Sequence, residues 1–218
     1  MGIVSVGDDN FLYIKGQLVT QIPAAKDADG NDVQKYSPGT NSCDYIITHY
    51  TASTTAQSAH NEYMDPSVQL SWHLTIDRDG TVYQLLPFDK IGWHAGESQW
   101  GTGLNQIVGM NKCSIGIEHS NAGPLTQKGA NYVTWSGQVI PTMDVFIDKD
   151  GNPWQAFSPK QLAASKALIL ELAQIFTVKD ILSHEMIAPG RKRDTGPAYQ
   201  ANLDDIRNTY ANIPRPLG

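Results

Sequence analysis

Six histidines, several carboxylates and a run of three cations are the residues of this chain with the means to do chemistry. His49 closes the apolar stretch "YIITH", and His184 closes a second one, "DILSH". Strand ends in mixed sheets are where ligands and active sites collect. Asp194 follows a Pro189-Gly190 break that can fold its carboxylate back beside His184. Two neutral imidazoles and one carboxylate make three protein ligands for zinc and leave a fourth position open. A single histidine is more often a hydrogen-bonded structural residue than a ligand, so the pattern by itself leaves both readings open. The contiguous zinc-protease motif H-E-x-x-H fails here: His184-Glu185 begins it, but position 188 is Ala188. Glu118, in "SIGIEH", reads from its surroundings alone as a carboxylate at the edge of a strand.

The elements that must position these residues are readable in outline. "DYIITHYTAS" and "CSIGIEHSN" carry β-branched and aromatic runs typical of strands. "SWHLTIDRDGTVYQLL" reads as two strands joined at Asp79-Gly80. "DILSHE" is a short strand leading to the cationic segment, and "TTAQSAHNEYM" a short helix with His60 on its surface. In "SPKQLAASKALILELAQIF", Ser158 caps a helix, Pro159 suits its first position, and Gln161 completes a capping box. Its Leu162, Ile169, Leu172, Ala173 and Phe176 form one core-facing stripe. A final helix is expected over "YQANLDDIRNTYAN". Residues 1–42 read as an irregular, turn-rich extension packed on or leading into a single domain of residues 43–218. Residues 124–157 read as a long substrate-side loop with a hairpin. "DADGN", "DRDGT" and "DKDGN" have glycine too early for a calcium loop and are turns. The expected fold class is mixed α/β, a central mixed sheet flanked by helices.

Bulk properties narrow the function. A net charge of -6 disfavours nucleic acid as a partner, so the cations Arg191, Lys192 and Arg193 are a local feature. No apolar run approaches the roughly 20 residues of a membrane-spanning helix. Cys43 and Cys113 are expected as buried free thiols. No secretory signal is read at the start, so the protein is expected to be made in the cytoplasm as a monomer.

Six segments occur in a telling order: "YIITHYTAS", "SWHLTIDRDGTVYQLLP", "GWHAGES", "SIGIEHSN", "PWQAFSPKQ" and "HEMIAPGRKRDTGP". Together, over roughly residues 43–200, they resemble the zinc-dependent N-acetylmuramoyl-L-alanine amidases of the type 2 amidase family, relatives of the peptidoglycan recognition proteins. The resemblance implies a zinc held in a surface groove by His49, His184 and Asp194, with Glu118 and Lys192 as the catalytic pair. It implies hydrolysis, by zinc-activated water, of the amide joining N-acetylmuramic acid to the L-alanine of the stem peptide, in peptidoglycan or muropeptide fragments. Lys192 would then donate to the developing oxyanion, which explains a cation beside metal ligands. His73 and His94 match positions at the edge of the groove, as substrate contacts or as support. Trp93 and Trp72 offer apolar faces to a sugar or to the core, and Arg191 faces substrate carboxylates or solvent. His119, alternating to the other side of its strand, is expected to be structural. A hydrophobic residue is usual there in the family. The alternative reading is a muropeptide-binding module that does not cut, but retention of Asp194, Glu118 and Lys192 favours an enzyme. Such an enzyme is expected to reach the wall after release or export, as an endolysin or effector, or to recycle fragments in the cytosol.

Overall fold

The structure, a computed structural model, describes residues 3–213. Its centre is a six-stranded sheet built from β1 (Thr20–Gln21), β2 (Tyr45–Tyr50), β3 (Leu74–Ile76), β4 (Val82–Gln84), β5 (Ser114–His119) and β6 (Asp180–Ser183). The spatial order is β6-β2-β5-β3-β4-β1. The first four of these run parallel, and β4 turns back antiparallel to β3 through the Asp79-Gly80 turn. Four helices accompany the sheet: α1 (Ala56–Met64), α2 (Pro159–Ile175), α3 (His184–Ile187) and α4 (Pro197–Ala211). This is the mixed α/β class expected from the strand and helix patterns.

Alternation along the strands divides the sheet into two unlike faces. Ile46, Ile115, Ile117 and Ile181 point to the side covered by α2 and α4, where Ile169, Leu172, Leu203 and Ile206 complete a large core. Tyr45, Ile47 and Leu182 point the other way, onto a smaller cluster with Ala95, Met110 and Ile187. The parallel strands bring their C-terminal ends to one edge.

Several local expectations change in the fold. Ser158 does cap α2, its hydroxyl accepting from the Gln161 amide. The Gln161 side chain does not close a capping box, however. It is fully buried and donates to the carbonyls of Ile76 and Ser120, tying α2 to the sheet. His60 is not on a helix surface: it is buried, edge-on to Tyr83 at 5.0 Å, because α1 lays that side against β4. Residues 3–42 are not irregular throughout. Val4–Val6, Leu12–Ile14 and Gln17–Leu18 make a small antiparallel sheet, and β1 joins the edge of the central one. Strands of two or three residues are too short for periodicity to show. Leu12 is fully buried, and its amide donates to Gln84 Oε1 at 2.7 Å.

Residues 124–157 hold more order than one hairpin. Thr126–Lys128, Asn131–Val133 and Val139–Ile140 form a three-stranded antiparallel sheet, and Val145–Ile147 pairs with Pro153–Gln155. The three Asp-x-Asp-Gly segments are turns in which the first or second aspartate accepts backbone amides. Both cysteines are free and buried.

Candidate metal centre and active site

Register across the parallel strands sets up the site. Glu118 of β5 pairs with His49 of β2, and Ser183 of β6 pairs with Thr48. His184, the next residue, therefore falls level with His49. Three adjacent strands thus present His184, His49 and Glu118 at one height on one edge, and side chains level with one another on neighbouring parallel strands share a face.

Asp194 is returned to this edge by the segment after α3. The Lys192 and Arg191 amides donate to Ala188 O, closing the turn at Pro189-Gly190, and the Glu185 amide donates to Asp194 O at 2.7 Å. Thr195 bonds Thr48 of β2 through their hydroxyls at 3.0 Å. Glu185 thus orients the turn with its backbone.

The outcome is a tight triangle. His49 Nδ1 lies 2.9 Å from His184 Nδ1 and 3.0 Å from Asp194 Oδ2, and His184 Nδ1 lies 2.9 Å from the same oxygen. Surrounding groups fix which ring nitrogens carry protons. His184 Nε2 faces Ala95 O at 3.1 Å, a carbonyl that can only accept. His184 Nε2–H therefore donates, and Nδ1 is left with its lone pair. Ser114 donates its proton to Met110 O, so its oxygen accepts from His94 Nε2 at 3.5 Å. His94 Nδ1 is then the acceptor for His49 Nε2–H at 3.1 Å, and His49 Nδ1 also bears a lone pair. Two imidazole lone pairs and a carboxylate oxygen thus converge with no proton among them, an arrangement that repels itself unless a cation joins it. Tetrahedral zinc, with bonds of about 2.0–2.1 Å to such atoms, separates its ligands by about 3.3 Å, so a small outward movement accommodates it. Among the described residues these three form a group able to hold a metal ion, and all three are buried.

Electrostatics agree with that role. Burial, then the charge of His184, pushes the His49 imidazole down to about 4, so it is neutral at pH 7. Burial alone would raise the Asp194 carboxyl; hydrogen bonds from His184 and His49, where those rings carry a proton, hold it well below the usual carboxylate range, and with the rings proton-free a cation in the triangle would take over that part. Glu118 behaves oppositely. Burial, and then the negative charge of Asp194, push its carboxyl well above the usual range, against the opposing pull of Lys192. Its Oε2 is buried without a hydrogen-bond partner among the described residues. Glu118 and half-buried Lys192 line the same cleft of about 360 Å³ as the triangle.

His94 lines the cleft and braces His49. Its ring lies on β5 where Gly116 has no side chain: a Cβ there would sit 2.5 Å from His94 Cγ. A glycine inside a strand is a signal of such close approach, and "SIGIE" carried it. Arg191 is exposed and lines the cleft, but its guanidinium is turned back onto the protein. Its guanidinium donates to the carbonyls of Ala95 and Glu97, clamping the 95–97 loop that also receives His184. Arg193 stacks on Trp154 at 5.2 Å.

Two of the expected substrate contacts lie elsewhere. His73 is fully buried, with Nδ1 accepting the Gly116 amide at 3.0 Å and Nε2–H donating to Lys90 O at 2.9 Å, so neither nitrogen is left for a ligand. Trp93 is half-buried and directs its indole N–H to Ser37 Oγ, outside the residues lining the cleft. Trp72 belongs to the core, 1% exposed, with its N–H on Thr75 Oγ1.

The family model Amidase_2, N-acetylmuramoyl-L-alanine amidase, matches residues 39–197. The chain belongs to the N-acetylmuramoyl-L-alanine amidase family. Among similar proteins, the N-acetylmuramoyl-L-alanine amidase CwlH of Bacillus subtilis (strain 168) is 42% identical over 74 residues, 32% of this chain and 29% of that one. The 1,6-anhydro-N-acetylmuramyl-L-alanine amidase AmpD of Escherichia coli (strain K12) is 34% identical over 136 residues, 61% of this chain. The chain spans about half the length of AmpD, 55%, and less of CwlH. In fold, the chain resembles a crystal structure of an AmpD derivative, with TM-score 0.52 and 19% identity over 93% of this chain and 99% of the other. It also resembles the Escherichia coli amidase AmiD in complex with an anhydro-N-acetylmuramic acid peptide, with TM-score 0.56 and 23% identity over 83% of this chain and 65% of the other. The family match spans His49, Glu118, His184, Lys192 and Asp194.

Proposed function

We propose that the protein hydrolyses the amide between the lactyl group of N-acetylmuramic acid and the L-alanine of the peptidoglycan stem, using zinc held by His49, His184 and Asp194. The observation that carries this reading is the convergence of three proton-free ligand atoms beside a buried, unpartnered carboxyl. Zinc in that triangle supplies a Lewis acid for the scissile carbonyl and lowers the pKa of a water toward about 7.

The protein's own groups do the rest. Glu118 takes a proton from the attacking water and delivers it to the leaving amine. Burial and the charge of Asp194 raise its pKa, which makes it a stronger base than an exposed carboxylate. Lys192 donates to the oxygen on which negative charge grows. His94 keeps the His49 ring turned so that Nδ1 faces the cleft, and Arg191 holds the loop carbonyl that does the same for His184. The protein works on peptidoglycan or its soluble muropeptides, without nucleic acid, as a monomer. No helix among the described residues is long and apolar enough to cross a membrane. Its wall substrate is reached after release or export, or as recycled fragments in the cytosol. A binding module without turnover would have no use for a buried Glu118 left unpaired.

The test is mass spectrometry of products from intact sacculi and from a soluble muropeptide, using zinc-loaded protein. Free stem peptides beginning with L-alanine, with intact glycan, are expected. Recovery of both substrates uncut would overturn the proposal.

A further inference from the structure

Trp135 is the anomaly of the surface. It is 78% exposed, yet it is held in place rather than left loose. It sits in the turn between Asn131–Val133 and Val139–Ile140. That turn is stiffened from within: the Gly137 amide donates to Thr134 O, and the Gln138 amide donates to Thr134 Oγ1. The turn is also docked. Trp135 Nε1–H donates to Ala52 O at 2.8 Å, and Thr54 Oγ1 donates to Gln138 Oε1 at 2.9 Å. Ala52 lies three residues beyond the metal ligand His49 and lines the same cleft as Glu118 and Lys192. The indole's polar edge is thus engaged at the cleft rim while most of the ring stays open to solvent.

We propose that Trp135 is a stacking platform for a sugar ring of the glycan strand whose stem peptide enters the cleft. A sugar presents one largely C–H face, which an aromatic ring covers while the hydroxyl rim stays wet. Fixing the ring before binding removes the ordering cost that a mobile side chain would bring. The amide to be cut joins a peptide to a sugar, so a substrate seated at Glu118 must lead saccharide out over one rim of the cleft. The rim at Ala52 is where the protein holds out an immobilised aromatic face. The inference rests on the proposed amidase reading, and it makes the glycan polymer, rather than a single-sugar fragment, the preferred substrate.

The test uses the full zinc-loaded protein and its Trp135→Ala and Trp135→Phe forms. One arm titrates a tetrasaccharide of β-1,4-linked N-acetylglucosamine, which has no amide to cleave at the stem position. The other compares kcat/KM on a multi-sugar muropeptide and on a single-sugar muramoyl peptide. Trp135→Ala is expected to weaken tetrasaccharide binding and to raise KM on the multi-sugar substrate, each by up to about tenfold, as the loss of one aromatic contact allows. The single-sugar substrate should lose much less than the multi-sugar one, and Trp135→Phe should recover part of the loss. Equal losses on both substrates, or no change in tetrasaccharide binding, would overturn the platform. If the wild-type protein cuts neither substrate yet binds the tetrasaccharide through Trp135, the amidase reading fails and the platform stands.

Discussion

His73 and His119 are as deeply buried as His49 and His184, and burial pushes His73, His119 and His49 alike down to about 4. The two pairs differ in what their nitrogens meet. His73 accepts from one backbone amide and donates to one carbonyl. His119 donates Nδ1–H to His49 O and accepts the Ser165 hydroxyl at Nε2, while Tyr199 donates to Ser165 in turn. Every donor there has an acceptor. At His49 and His184 the outer nitrogens are satisfied in the same way, but the inner ones face each other and a carboxylate with nothing between. Burial and a depressed pKa do not separate a structural histidine from a ligand; the unresolved meeting of acceptors does.

Substitutions can break this contrast, and the largest effect should come from the triangle itself. Asp194→Ala should abolish both zinc binding and hydrolysis. In the wild-type protein, zinc at one hundred times its Kd adds about 2.7 kcal/mol of stability by mass action. Calorimetry with and without chelator should show that increment vanish in the variant. A zinc-dependent rise in Tm that survives would remove Asp194 from the ligand set. Glu118→Gln should keep the metal, by elemental analysis, and lose about 10²–10⁴-fold in kcat, the usual worth of a general acid-base group. Lys192→Ala should lower kcat by about 10²–10³-fold with little change in KM. It should also move the acid limb of the pH profile. Lys192 lowers the pKa of Glu118, so removing the cation raises that pKa further and shifts the limb to higher pH. A limb that stays fixed would mean that the two side chains are not electrostatically joined.

The satisfied histidines should answer in a different currency. His73→Leu strands a buried amide and a carbonyl and should cost about 1–3 kcal/mol in denaturant melts, with zinc retained. Its pH signature has a definite sign. A folded pKa near 4 against an unfolded value of 6.5 means that the unfolded chain binds the extra proton between those limits. Stability contributed by neutral His73 is therefore present above pH 6.5 and lost as pH falls toward 4, and the variant should show a shallower acid slope. Loss of zinc in His73→Leu without loss of stability would erase the distinction between the two kinds of histidine.

Strand ends made the two histidines of the triangle legible as candidates, whereas Glu118 and Lys192 came only from the family resemblance. "YIITH" and "DILSH" each place a histidine where an apolar run stops, and in parallel neighbours those stops share an edge. Alternation put His119 opposite Glu118 and so into the core, where it sits. Other residues escaped because their roles are tertiary. His60 looks like a helix-surface residue until β4 covers it, and Gln161 looks like a cap until the sheet offers it two carbonyls. His73 and Trp93 stand in segments resembling those that border the groove, and only the hydrogen bonds made by their side chains reveal that each is turned away. The order within residues 124–157 rests on short strands and turn hydroxyls, which leave little periodic trace.

The alignment of Glu118 with His49 across β5 and β2 carries one more consequence. Glu118 and His49 are held apart by the backbone ladder itself, whose step of about 4.8 Å is the same in every sheet. No rotamer, loop length or surface exchange alters that ruler. Selection can therefore rebuild the rim around residues 124–157 while the spacing of Glu118 and His49 stays in calibration.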